Sequence, residues 1–283
     1  MSSTIEVAAR AGAQLGEGPT WDNESGWLLW VDILGSAVHV YEPEKNTDRV
    51  MFSTDSHVGA VKRRAGGGLV VNLRDGIGLY GPGEPFRMLA DLAEEGVRGN
   101  EAMVAPDGSL WAGTMRYDKA TGGGKLYRID PHGSVTTLIE NVTISNGTGW
   151  SPDDRLVYYV DTPTHRIDLF DADGPGIRNR RVFVEIAGDP DGLTVDADGC
   201  VWVALYGGGC VRRYTPDGRL DRTIEVPTPN TTSCCFGGLE LRDLYITTAK
   251  SDDPGAPVDD PLAGTLFVVP DVGQGLITPD FAG

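Results

Sequence analysis

Asp189–Tyr206 reads DPDGLTVDADGCVWVALY, and this stretch decides what kind of fold the chain adopts. A carboxylate, Asp191, stands just ahead of a run in which apolar and small residues alternate. A turn follows at Asp198–Gly199, and a second apolar run continues through Trp202. Two short strands joined by a tight Asp-Gly turn is the reading this pattern supports.

The unit recurs. Taking the large apolar residue in the second strand of each copy as a landmark gives Trp30, Val70, Trp111, Tyr158, Trp202 and Tyr245, at spacings of 40, 41, 47, 44 and 43 residues. Further apolar runs follow the landmarks at Ala37–Tyr41, Gly78–Tyr80, Lys125–Ile129, Arg166–Phe170, Cys210–Tyr214 and Gly264–Val269. A period in the forties with about four strands per unit is the signature of a β-propeller, in which each blade is a four-stranded sheet. Six landmarks give six blades. No amphipathic helix of three turns interrupts them, so the expectation is an all-β, six-bladed β-propeller. No linker divides the chain, which reads as a single domain over residues 1–283. Residues Ile5–Ala9 are expected to join the last blade and so remove an exposed edge.

With 24 basic and 41 acidic residues the net charge is −17. That argues against nucleic acid or an anionic membrane as a partner. No apolar run approaches the ~20 residues that span a bilayer, and the first residues show no basic segment followed by an apolar one. A soluble cytoplasmic protein is expected. The four cysteines, Cys200, Cys210, Cys234 and Cys235, contain no CxxC pair and read as buried free thiols.

Glu17, Asn100, Asn146 and Asp191 precede the landmarks of their own units by 13, 11, 12 and 11 residues. Equivalent offsets place them at corresponding points of different blades, where the innermost strand begins. Innermost strands line the central channel, so the four side chains should converge at one mouth of it. Two carboxylates and two amides form an all-oxygen set, the kind that hard divalent cations such as Ca²⁺ or Mg²⁺ prefer. The glycines and prolines around them (LGEGP, SNGTG, DPDG) permit tight turns that aim oxygens inward. The fold is therefore expected to carry a central metal-binding channel.

The segments LGEGPTWD (15–22), RGNEAMVAPDGSLWAGTM (98–115), ISNGTGWSPD (144–153), PDGLTVDADGCVWVALYGGG (190–209) and TTSCCFGG (231–238) resemble the SMP-30/gluconolactonase family, down to the closing FAG at 281–283. Members are six-bladed propellers that hold one divalent metal and hydrolyse sugar lactones. The resemblance implies that Glu17, Asn146 and Asp191 ligate the ion, with Ca²⁺ first and Zn²⁺, Mg²⁺ or Mn²⁺ as alternatives. It implies that Arg98 and Asn100 contact substrate oxygens, with Glu101 adding hydrogen bonds to hydroxyls. The third-blade motif departs from the family's R-x-N-D-G-K-x-D: Glu101 replaces the Asp and Met103 the Lys, which is expected to mark an altered pocket.

The expected reaction is hydrolysis of a small-molecule lactone, with Asp191 as general base. Alternatives are an organophosphate or phosphoester hydrolase of the same propeller type, and a non-catalytic calcium-binding protein. No Ser-His-Asp order appears, which excludes a nucleophilic triad. The remaining expectations are local. Residues 116–124 (RYDKATGGG) read as a surface loop or a lid over the site, and 251–261 as a solvated loop. His57, Ser233 and Cys234 are placed near the channel. Arg98 has a surface ion pair with Glu94 or Glu95 as its alternative role, and the basic run 178–181 reads as a turn.

Overall fold

The computed structural model describes residues 4–81, 83, 85–251 and 259–283; most of the expected loop at 251–261 therefore lies outside the described residues. Six four-stranded antiparallel sheets form the blades of a propeller. Their innermost strands are Gly16–Asp22, Val58–Arg63, Val97–Val104, Ser145–Trp150, Asp189–Val195 and Thr231–Gly237. Each touches the next around the axis, and the last touches the first, which closes the ring.

All six landmarks sit in the second strands, and all are at most 3% exposed. They are buried because a blade presents both faces to its neighbours, so its middle strands carry apolar residues on either side. Removing such side chains from water at roughly 25 cal/mol per Å² is the main favourable term. The quoted stretch shows how its turn is made. Asp196 Oδ1 accepts from the backbone N–H of Asp198 (3.0 Å) and Cys200 (2.9 Å), and Gly199 takes φ +78. Its other oxygen accepts from Trp202 Nε1 and Arg213 Nε, both at 2.8 Å. One carboxylate thus closes the hairpin and satisfies a buried indole.

Strand Glu6–Ala9 pairs with Leu266–Val269 on the outside of the last blade, as the sequence led one to expect. The closing Phe281 is buried, with its N–H donating to Arg63 O and its carbonyl accepting from Ala65 N–H. Arg63 ends an innermost strand. The C-terminal segment therefore runs past the far ends of those strands, opposite the ends where the expected site residues lie.

The basic run 178–181 is part of strand Gly176–Glu185, not a turn; Arg180 and Arg181 pair with Asp168 (2.6 Å) and Asp171 (2.8 Å). All four cysteines are free thiols. Among the described residues no helix is long and apolar enough to cross a membrane.

Candidate functional site

Every innermost strand breaks register with its neighbour near its start: between Glu17 and Thr20, Val58 and Ala60, Gly99 and Ala102, Ser145 and Thr148, Pro190 and Leu193, and Thr231 and Ser233. A bulge inserts a residue and re-aims the side chains around it. Glu17, Asn100, Asn146 and Asp191 lie in or beside these bulges, which is the structural origin of their equal offsets. In three of the four a glycine follows. At Gly192 a Cβ would lie 2.0 Å from Ser233 Oγ, so the neighbouring innermost strand leaves no room for a side chain.

The strands bring Glu17, Arg98, Asn100, Asn146 and Asp191 together around one cavity of about 230 Å³, shared with Lys119, Thr162, Asp189 and Tyr206. Glu17, Asn100, Asn146 and Asp191 are each 5% exposed. A one-way chain of hydrogen bonds runs round the wall. Arg98 Nη1 donates to Asn100 Oδ1 (2.6 Å), Asn100 Nδ2 donates to Asn146 Oδ1 (2.7 Å) and to Ser145 O (2.8 Å), and Asn146 Nδ2 donates to Thr162 Oγ1 (2.7 Å). The Thr162 hydroxyl donates to Pro190 O at 2.8 Å, beside Asp191. Because its Nδ2 is committed to Thr162, Asn146 turns its oxygen toward the cavity, and a carbonyl oxygen has two lone pairs.

Arg98 is 6% exposed and also donates to Gly99 O at 3.0 Å. The surface pairing with Glu94 or Glu95 does not form: Lys125 approaches Glu94 at 3.4 Å and Arg116 donates to Glu95 O at 3.4 Å. Burial, reinforced by the charge of Glu101, pushes the Glu17 carboxyl up to about 8, although Gly18 N–H donates to it at 3.0 Å.

Glu101 does not line this cavity. The strand sends it away from Asn100, into the channel, where it accepts from the Ser233 hydroxyl and faces Lys62. Its Oε2 has no hydrogen-bond partner among the described residues, and burial raises its carboxyl to about 7. Met103 does not line it either; it borders a separate cavity of about 300 Å³ with Trp150 and Leu276, where the C-terminal segment passes. The two departures in the third-blade motif therefore do not reshape the cavity wall. Bulge and pleat turn these side chains elsewhere.

Lys62 was not singled out in the sequence. It is 1% exposed, donates to Thr20 Oγ1 at 2.5 Å, and is pushed down from the usual lysine range by burial, with Glu101 pulling the other way. The signal for it was a lysine ending the buried run VGAVK. Lys119 lies in the 116–124 segment, which thereby supplies part of the cavity wall. Tyr117, on the same turn, meets His57 Nδ1 at 2.8 Å. Burial, then the charges of Arg98 and Arg74, lower the His57 pKa. Cys234 points at Trp202 O (3.9 Å) and Ser233 at Glu101, so both belong to the channel below the cavity.

Among the described residues no three His, Cys, Asp or Glu side chains come together as a metal cluster. A cation here would depend on mixed oxygen donors: the Glu17 and Asp191 carboxylates and the Asn146 carbonyl. That set fits a hard divalent ion better than one that favours thiolate or imidazole.

A model of the SMP-30/Gluconolactonase/LRE-like region matches residues 15–250. The 6-deoxy-6-sulfogluconolactonase of Pseudomonas putida is 35% identical over 292 residues, covering 100% of each chain. The pentonolactonase XacC of Haloferax volcanii is 35% identical over 258 residues, covering 89% of this chain and 88% of its own. Among solved structures, a calcium-binding protein, regucalcin, from Agrobacterium tumefaciens superposes with a TM-score of 0.93 at 29% identity, covering 99% of this chain and 98% of that one.

Proposed function

The chain belongs to the SMP-30/gluconolactonase/LRE-like family, and on that premise we propose that it is a divalent-metal-dependent hydrolase that opens a lactone ring, acting as one propeller domain over residues 1–283. The observation that carries the reading is the meeting of Glu17, Asn146 and Asp191, from three blades, at one buried cavity. These three would hold the ion, Ca²⁺ first, with Mg²⁺, Mn²⁺ and Zn²⁺ as alternatives. The lactonase names of the relatives support the reaction class, and the calcium-binding description of the Agrobacterium protein supports the metal.

Bound there, such an ion polarises a carbonyl oxygen and stabilises the negative charge that develops on it. The protein's own residues do the rest. Asp191 takes a proton from water as the water oxygen adds to the lactone carbonyl carbon. The ring C–O bond then breaks, and the proton passes to the departing alkoxide, giving an open-chain hydroxy acid. Arg98, a rigid and permanently charged fork, binds substrate oxygens. Asn100 holds Arg98 and Asn146 in place.

The Agrobacterium regucalcin's description favours one other reading, calcium binding without catalysis. A buried arginine at the cavity argues for catalysis, since a simple ion buffer has no use for an oxygen-binding cation. The test is a pH-indicator screen of aldonolactones against metal-stripped protein, with each of the four ions returned singly. Proton release with at least one pair is expected; silence in all of them overturns the enzyme reading.

A further inference from the structure

We propose that the lactone taken by this site carries an anionic group, a carboxylate remote from the ring carbonyl, and that Arg98 and Lys119 select it. The inference rests on the lactonase reading and names its substrate class.

The first argument is hydrogen-bond complementarity. The neutral polar groups of the wall are spent on one another: Asn100 on Arg98, Ser145 and Asn146, Asn146 on Thr162, and Thr162 on Pro190. Two of the three carboxylates at the cavity, Glu17 and Asp191, belong to the proposed ion site; the third, Asp189, lies 3.2 Å from His165 Nδ1. The donors that Arg98 and Lys119 bring are cationic, and neither side chain has an acceptor. A neutral polyol needs an acceptor for every hydroxyl it buries. A carboxylate only accepts, and its hydrogen bonds to a guanidinium or ammonium are about twice as strong as neutral ones.

Charge points the same way. A divalent ion would offset Glu17 and Asp191, leaving Arg98, Lys119 and Asp189 as the charged wall. That wall is net positive inside a protein of charge −17. The overall charge repels an anion only weakly at a distance, since exposed charges are screened beyond ~10 Å at 0.1 M salt.

Lys119 is also held rather than loosely tethered. Its backbone takes φ +54, a left-handed conformation unfavourable for a lysine. The turn is closed by Lys119 N–H on Arg116 O (3.1 Å) and by Asp118, which accepts from Arg116 Nε (2.9 Å) and Ala120 N–H (3.1 Å). Tyr117 anchors it to His57 across the mouth. A strained, braced turn at a cavity suits selection more than bulk exclusion.

The experiment compares D-glucaro-1,4-lactone, which carries a free carboxylate, with D-glucono-1,4-lactone, which has a hydroxymethyl group there. In the metal-loaded protein kcat/KM should favour the glucarolactone by at least about tenfold, the order one charge-assisted hydrogen bond supplies. Lys119→Gln should cut that ratio by about tenfold and Lys119→Glu should invert it. Titration calorimetry of the ring-opened products gives a second readout: D-glucarate should bind more tightly than D-gluconate, and Lys119→Gln should narrow the gap. Equal handling of the two lactones, or a ratio indifferent to Lys119, overturns the proposal. If neither lactone is hydrolysed yet glucarate still binds preferentially through Lys119, the anion selectivity stands and the lactonase reading falls. If neither is hydrolysed nor discriminated in binding, both fall.

Discussion

Asn100 Nδ2 donates to Asn146 Oδ1 at 2.7 Å, a hydrogen bond that crosses from the third blade to the fourth at the rim of the channel. Asn100 is itself fixed by Arg98 on one side and Ser145 O on the other. It therefore sets where the Asn146 oxygen points. If Asn146 ligates an ion, Asn100→Ala should weaken ion binding by about 10- to 100-fold, the usual cost of removing a residue that orients a ligand. Titration calorimetry with Ca²⁺ on the folded variant measures this; unchanged affinity removes the orienting role.

Asp191 is the only proposed ligand also given the proton. Asp191→Asn should lower kcat by about 10²- to 10⁴-fold, the range for a lost general base. Circular dichroism should stay that of the parent protein. An active Asp191→Asn enzyme eliminates the scheme.

The Glu17 carboxyl sits at about 8, raised from 4.5. A raised acid favours the folded state fully below 4.5 and loses that contribution as pH climbs toward 8, at up to ~1.4 kcal/mol per pH unit for one proton. Metal-free protein should therefore lose thermal stability between pH 5 and pH 8, and Glu101, raised to about 7, acts in the same direction. An ion needs the carboxylate, so binding at pH 7 should release protons, and affinity should rise with pH through about 8. Calorimetry in buffers of different ionisation enthalpy reads the proton count; zero release at pH 7 contradicts the assignment of Glu17.

Lys62 and Glu101 face each other in the channel, each at most 5% exposed. Lys62→Met strands the carboxylate without its countercharge, a loss of ~3–5 kcal/mol for a buried pair. The cost should be greater at pH 8.5 than at pH 5.5, because Glu101 can take up a proton at the lower pH. The double variant Lys62→Met/Glu101→Gln should recover most of it. Urea unfolding at the two pH values tests this, and equal losses at both would sink the pairing.

Gly192 lies where Ser233 leaves no space: an added Cβ would stand 2.8 Å from Ser233 Cα as well as 2.0 Å from its Oγ. Gly192→Ala should destabilise the protein by ~1–3 kcal/mol through overpacking. Part of the strain should appear as altered placement of the adjacent Asp191. Thermal unfolding with and without Ca²⁺ separates the two effects.

The sequence by itself determined the blade count, because a turn-punctuated unit with one buried aromatic or aliphatic landmark returns at nearly constant spacing. It also placed Glu17, Asn100, Asn146 and Asp191 at equivalent points, since a bulge repeated at the same place in each innermost strand keeps their offsets constant. What it could not decide was the direction of neighbouring side chains. Glu101 follows Asn100 directly yet turns into the channel against Lys62, and Met103 reaches the opposite mouth. Strand register around a bulge, and the proximity of strands roughly forty residues apart, fix those directions. The same holds for Lys119, whose place in the cavity wall depends on how its turn folds back over the rim. Only the closed ring brings these groups to one another, because each contact joins blades that the linear pattern treats as separate copies.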